Sequence, residues 1–417
     1  DIRDQVRYNR QTTDNYDTGF HYFEPVMDSL QLKVGVNYEM KKSVEDRVGY
    51  DFNAATGNYE DLNESLTNYL SSSTGTVTPN VGLSIQKSKF YLGADFGTSI
   101  TQFKNYSLYL GDVTRLNKEY VLPSANAYGN YRFTKSKSVY ANYSYNVNFP
   151  TASQVLPVAD VSNPLSTLIG NPDLEPDKSH QVYLRFNDYD YATRSGYNIY
   201  GGGSAYDSRI VVFSTIDESA KRTTSYTNIS GTYSLWGGAS WSKSIKRETN
   251  TYKFNLGMNS QFNRNKGFIN EDMFDAREFS ITPRINLTWD YGELLSINPS
   301  YSYSYRKTDY DNYSVESASN FVHKLNLQTT NYWPKHFVFG NDFGYTYNSN
   351  IADGFKKDFF LWNSSLGYNF MSDQLLFKVK VYDLLNQNLS ATRTITPTTI
   401  RDEENTVLRR YVMFSLT

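Results

Sequence analysis

Ser296-Ile-Asn-Pro-Ser-Tyr-Ser-Tyr-Ser-Tyr-Arg306 is the stretch that decides how this chain folds. Side chains of an extended strand point alternately to opposite faces. Ile297, Pro299, Tyr301, Tyr303 and Tyr305 therefore share one face, and Ser296, Asn298, Ser300, Ser302, Ser304 and Arg306 share the other. One face is apolar and aromatic, the other small and polar. Such a strand wants oil on one side and water on the other, which is the pattern of a transmembrane antiparallel β-barrel.

The alternation recurs along the chain. Leu30, Leu32, Val34, Val36, Tyr38 and Met40 oppose Gln31, Lys33, Gly35, Asn37 and Glu39. Val139, Ala141, Tyr143, Tyr145, Val147 and Phe149 oppose Tyr140, Asn142, Ser144, Asn146 and Asn148. Tyr252, Phe254, Leu256 and Met258 oppose Lys253, Asn255, Gly257 and Asn259. Pro283, Ile285, Leu287 and Trp289 form another such face, as do Phe377, Val379 and Val381.

Connections alternate as well. Short ones fall at Val26–Ser29, Lys87–Ser88, Thr134–Lys137, Asp190–Ser195, Tyr291–Glu293, Trp333–His336 and Ser372–Asp373. Longer polar ones fall at Lys41–Thr76, Lys104–Lys118, Pro150–Lys178, Asn263–Ala276, Lys307–Ser319, Ile351–Lys357 and Leu389–Asn405. Short-long alternation predicts an all-β, up-and-down meander, with short turns at the periplasmic rim and long loops outside the cell. About 17 strands can be traced, where about 9 to 11 residues suffice to cross. Two long strands are expected at Tyr197–Ile216 and Thr223–Ser242, joined by a turn near Asp217–Ala220. The first clear strand, Asn15–Glu24, runs downward by this count, so Asp1–Arg10 is expected to hold the end of a preceding upward strand.

Composition excludes the main rivals. Mean hydropathy is -0.59 over 417 residues, and no apolar run approaches the roughly 18 residues of a membrane helix. Aromatics make up 16% of the chain, with 37 Tyr, too many for a disordered chain. Tyrosine suits a membrane interface, where its ring is buried and its hydroxyl wet. Net charge is -2 without a basic block, which speaks against a nucleic-acid partner. There is no cysteine, as suits a chain crossing an oxidising periplasm. A soluble propeller would repeat every 40 to 50 residues or so with Gly and Trp-Asp cues, and no such period is present. The chain starts Asp-Ile-Arg-Asp, which reads as a processed chain or a fragment.

Gly170-Asn-Pro-Asp-Leu-Glu-Pro-Asp-Lys-Ser-His180 resembles a stretch of TonB-dependent outer-membrane receptors that precedes a strand returning to the periplasm. Asp177 stands where glutamate is commoner. Val381-Tyr-Asp-Leu-Leu-Asn-Gln-Asn388 and Arg410-Tyr-Val-Met-Phe-Ser-Leu-Thr417 resemble the last hairpin of such barrels of the Bacteroidota type. The resemblance covers about residues 15 to 417. It implies a barrel of about 22 strands, a plug in the lumen, and a TonB-box peptide before the plug. It implies import of scarce nutrients powered through TonB. On this reading residues 1–417 are the C-terminal part of a barrel domain, with signal peptide, plug and first strands outside the sequence.

Few residues suggest chemistry. His21, His180, His323 and His336 are scattered and lack metal-ligand spacing; rim or surface positions are expected. Gly201-Gly202-Gly203 reads as a bend in a curved wall. Asp309, Asp311 and Glu316, and separately Asp402, Glu403 and Glu404, could offer oxygens to Ca²⁺, although solvated acidic loops are commoner. No catalytic, cofactor or metal residues are assigned, no enzyme activity is expected, and ligand-binding residues stay unassigned. The expected function is TonB-dependent import of a hydrophilic nutrient across the bacterial outer membrane. The rival is a structural or assembly subunit of an outer-membrane complex. Expected partners are outer-membrane lipid and lipopolysaccharide, TonB through a segment outside this sequence, and a surface lipoprotein or other outer-membrane subunits.

Overall fold

The computed structural model describes residues 4–417 apart from 164, 220, 313–316, 372–373, 389–390, 397–398 and 406. Among the described residues 23 strands form, and 21 of them join one sheet. The short strands Asn58–Leu62, Ala159–Asn163, Ser166–Ile169, Arg222–Ile229, Ala391–Thr396 and Thr399–Glu404 sit at the long-loop rim. The other 17 make the wall. Each wall strand pairs antiparallel with the next in sequence, from Gln5–Met27 with Leu30–Asn53 to Leu375–Tyr382 with Tyr411–Leu416. This is the expected meander, and no helix is long and apolar enough to cross a membrane.

Cross-strand partners share a face, so the register fixes what each face carries. Tyr301 pairs with Leu325, Tyr303 with His323 and Tyr305 with Phe321; Leu325 in turn pairs with Tyr345. The aromatic face of one strand thus continues across its neighbours. Tyr303 lies 5.0 Å from the His323 ring, and Phe321 stacks on Tyr347 at 5.7 Å. On the opposite face, Ser302 pairs with both Arg284 and Lys324.

Almost no side chain in the middle of the wall is buried by the chain itself. The buried apolar residues, among them Leu70, Phe103, Val155, Leu156 and Leu174, gather near the long-loop rim. Along the wall, Val34, Val81, Phe96, Val182, Leu184 and Ile199 stay exposed. A soluble sandwich would bury such a face against a second sheet. Here only lipid can cover it.

Three expectations change. Lys41–Thr76, Lys104–Lys118 and Asn263–Ala276 are mostly not loops. The strands Leu30–Asn53 and Phe90–Tyr109 run on past the membrane, to 24 and 20 residues. The turn at Leu110 and Gly111 has φ of 52° and 80°, and that at Asn270 and Glu271 has 50° and 71°. Two successive positive-φ residues make the tight turn whose twist matches paired strands. Beyond the membrane both faces are wet, so alternation fades while pairing continues.

Second, the described part of Asp1–Arg10 is not the end of an upward strand. Residues from Gln5 belong to the downward strand Gln5–Met27, zipped to the next strand from Gln5↔Asp51 to Met27↔Leu30. Third, Thr223–Ser242 is broken at Gly231, φ 73°. Arg222–Ile229 caps the upper half of Ser195–Ile216, and Thr232–Arg247 returns to the wall beside its lower half. The expected turn at Ser372–Asp373 lies outside the described residues.

Candidate lumen and its mouth

The polar faces converge on one concave surface. A cavity of about 1170 Å³ is lined by Thr74, Thr76, Ser99, Asn146, Gln181 and Ser204, among others. These are the small polar residues of the alternating strands, now on the inside. Their hydroxyls and amides bond across strands: Thr76 to Thr101 at 2.9 Å, Thr78 to Ser99 at 3.0 Å, and the Asn146 amide donates to Gln181 at 3.2 Å. Lys33 meets Asp95 at 3.1 Å on the same face. Such a surface exchanges hydrogen bonds with water or a hydrophilic solute at little desolvation cost.

Above the cavity, the segment between Asn148 and Asp177 folds inward instead of out into solvent. Thr151 starts a single turn of helix, Ala152–Val155, closed by a capping box with Gln154. Val155 and Leu156 are fully buried, and Leu174 nearly so. They pack on Leu70 and Phe103 of two wall strands, with Phe149 and Tyr120 alongside. Phe103 lies 5.5 Å from Phe149.

The Gly-Asn-Pro motif ties this insert down. A Cβ on Gly170 would stand 2.1 Å from the Leu156 carbonyl, so only glycine fits there. Asn171 donates its backbone N–H to Gln154 O at 2.7 Å and its side-chain amide to Tyr226 O at 2.8 Å, and accepts from Asp173 N at 2.9 Å. The Glu175 N–H donates to Asn228 Oδ1 at 2.8 Å, and Asn228 donates back to Glu175 O at 2.9 Å. Lys118 donates to Leu174 O at 3.2 Å. A motif read from sequence as a strand signal is therefore also the clasp of the mouth.

Asp160 holds the other side. It accepts from Arg7 at 3.2 Å and Arg47 at 2.8 Å, and Arg47 also binds Glu45. Burial by itself would raise the Asp160 pKa. Hydrogen bonds from Ser162 and Arg7, with the Arg7 charge, outweigh burial and bring it down to about 2. The insert is thus bolted to the first two wall strands by charge and to the third and fourth by apolar packing.

The Tyr-Asp-Leu-Leu-Asn motif fastens the last hairpin. Asp383 is buried at φ 50°, and its carboxylate accepts from Gln387 N at 2.9 Å and Asn388 N at 3.1 Å. The Asn363 side chain accepts the Asp383 N–H at 3.0 Å. Aspartate tolerates positive φ and bonds its own following backbone, which is why it stands there.

The histidines do not converge. His180 and His323 face outward, each bonded through Nδ1 to a tyrosine hydroxyl, Tyr143 at 2.9 Å and Tyr301 at 2.8 Å. His336 lies in a short turn beside Tyr368. His21 differs from expectation: it lies over Gly35, on the face that lines the lumen. The acidic clusters suggested for Ca²⁺ are engaged with cations: Asp309 with Lys307, Asp311 with Arg277, Asp402 with Arg393 and Glu403 with Arg401. Glu316 lies outside the described residues, and among those described no group of three or more His, Asp or Glu is placed to hold a metal.

With an antiparallel meander, an apolar outer face and a polar lumen in place, the class is that of outer-membrane barrels. The sequence profile of the Outer membrane protein beta-barrel family matches residues 2–303 and 283–417. The chain belongs to that family. It lies in the outer membrane, with long loops extracellular and short turns periplasmic.

No curated protein matches the sequence. Among solved structures it is similar to the ferripyoverdine receptor of the Pseudomonas aeruginosa outer membrane, at 11% identity and TM-score 0.32, over 99% of this chain and 71% of that one. It is also similar to the ferric-catecholate import receptor Fiu of E. coli, open form, at 10% identity and TM-score 0.28, over 99% and 80%. The outer membrane transporter YddB from Escherichia coli aligns at 10% identity and TM-score 0.23, over 97% and 75%.

Proposed function

We propose that this barrel imports a hydrophilic nutrient across the outer membrane, energised through TonB as in the receptors its motifs resemble. The observation that carries the reading is the polar cavity of about 1170 Å³ beneath a fixed mouth. A purely structural barrel has no need of a hydrogen-bonding interior joined to a clasped entrance.

The reading includes a larger barrel. Among the described residues, Gln5–Met27 pairs only with Leu30–Asn53, and Tyr411–Leu416 only with Leu375–Tyr382. Both edge strands run toward the periplasmic rim. Antiparallel closure between two strands of like direction needs an odd number of further strands between them. A plug and a TonB-contacting peptide would lie in the same unseen part.

The test is a deletion strain on a panel of hydrophilic nutrients at limiting concentration. Loss of growth on particular nutrients, reproduced by a protonophore or by loss of TonB, supports import. A general permeability or assembly defect without nutrient-specific loss supports the structural rival and overturns this reading.

A further inference from the structure

The outward face of the wall carries its charges differently at its two ends. Ser204 lines the lumen and pairs with Ser234, so the even-numbered residues of the strand Thr232–Arg247 point inward. Trp241, Lys243, Ile245 and Arg247 therefore point outward. On the next strand Tyr252 and Phe262 pair with Ile245 and Leu235 and share that face. They stand ten residues apart, which is about 34 Å along the strand and about 25 Å of membrane at the tilt of such barrels. Trp289 and Phe279 pair with them and mark the same two levels on a third strand. Aromatic residues at these two heights are the membrane interfaces.

Just beyond the upper rings, outward cations are already engaged. Arg264 meets Asp275 at 2.5 Å, Arg277 meets Asp311 at 2.6 Å and Lys307 meets Asp309 at 2.9 Å. Lys266 donates to the Ser230 carbonyl at 3.3 Å.

Below the lower rings the pattern reverses. Residues 190–194 and 243–250 carry four cations, Arg194, Lys243, Lys246 and Arg247, against two carboxylates, Asp190 and Glu248. Among the described residues the ion pairs on this part of the rim are Lys137 with Asp188 at 3.3 Å and Lys253 with Asp290 at 3.0 Å. None of those four cations takes part in them. Asp190 spends its carboxylate on its own turn, accepting from Ala192 N at 2.9 Å and the Thr193 hydroxyl at 2.8 Å. Lys243 lies two residues below Trp241 on the same face, about 7 Å along the strand. The Trp241 indole N–H donates to the Ser195 hydroxyl at 3.1 Å, and Ser195 pairs with Lys243.

We infer that this part of the rim binds an anionic phospholipid of the periplasmic leaflet. Acyl chains would lie along Ile199, Leu256 and Phe254, with the glycerol level at Trp241 and the phosphate at Lys243. Arg247 and Arg194 would meet the headgroup below. A cation partly withdrawn from water at the headgroup boundary needs a counter-charge, and a phosphodiester supplies one through strong charge-assisted hydrogen bonds. A zwitterionic headgroup brings its own ammonium, which competes for that phosphate and meets like charge on the wall. At the upper interface the cations of the same strands have their partners within the chain, so the selectivity belongs to the lower leaflet. The inference concerns the wall and holds whether or not the barrel imports.

The test reconstitutes the full protein in vesicles of mixed phosphatidylglycerol and phosphatidylethanolamine, with bromine on the acyl chains of one lipid at a time. Tryptophan quenching then reads which lipid stands beside the wall. Phosphatidylglycerol should be preferred about tenfold, and the preference should shrink as salt rises from about 50 to about 500 mM. Lys243→Gln combined with Arg247→Gln should bring the two lipids close to parity. Arg264→Gln combined with Lys307→Gln, at the other end of the wall, should leave the preference unchanged. Equal affinity for the two lipids in the unaltered protein, a preference indifferent to salt, full preference in the Lys243 and Arg247 variant, or equal loss in the Arg264 and Lys307 variant would overturn the inference. Heat-modifiable gel migration checks that each variant forms its barrel. Preference and salt dependence are read on the unaltered protein, so they decide the matter even where a variant does not fold.

Discussion

At the mouth, Val155 and Leu156 are wholly enclosed by other atoms of the chain; halfway down the wall, Val182 and Leu184 are 44% and 52% exposed. The same kinds of side chain do opposite work in the two regions. The mouth is a small water-soluble core, held by burial and clasped by Asn171 and Asp160. The wall has no core, and its stability comes from ladder hydrogen bonds with lipid covering the outer face. Mouth and wall should therefore answer differently to the same perturbation.

The largest effect is expected in the mouth. Phe103→Ala removes a fully buried ring at the contact of insert and wall, and should cost the insert about 3 to 5 kcal/mol. Hydrogen exchange across Thr151–Asp177 should rise to the rate of an open loop while wall amides stay protected. Equal loss of protection in both would mean the two regions are one cooperative unit.

Next comes the wall. Tyr303→Asp puts a carboxylate on the lipid face between Phe321 and His323. Unfolding in vesicles should show a loss of about 2 kcal/mol or less, with the mouth unaffected.

Asp160→Asn should cost about 1 to 2 kcal/mol, confined to the insert. The folded Asp160 pKa, about 2, is below the value of about 3.9 in an unfolded chain. The latch therefore contributes fully above about pH 4 and is lost as pH falls toward about 2. Exchange in the insert should accelerate across that window in the wild type and show no such step in Asp160→Asn.

The smallest effect is expected at Ser302→Asp. The new carboxylate would face the lumen between Arg284 and Lys324, and stability should change by less than about 0.5 kcal/mol in either direction. A cost equal to that of Tyr303→Asp would reverse the assignment of inside and outside.

The wall was legible because lipid and water impose a two-residue period on every strand that separates them. The faces read for Leu30–Met40, Val139–Tyr145 and Ser296–Arg306 are those found, and the traced count of strands agrees with the wall; Phe149, read onto the oily face, instead packs inside on Phe103 and Tyr120 at the mouth. The mouth was not legible. Pro150–Lys178 reads as a polar loop, yet Val155, Leu156 and Leu174 are buried, because their partners Leu70 and Phe103 lie on strands 50 to 100 residues away in sequence.

The alternating sequence by itself determined that these segments are strands and which side of each is oiled, since a strand's faces are set by covalent geometry alone. Which strand neighbours which, and which loop turns inward to be buried, only the pairing of the strands into one wall decided. Those contacts join residues far apart along the chain, and no local pattern records them.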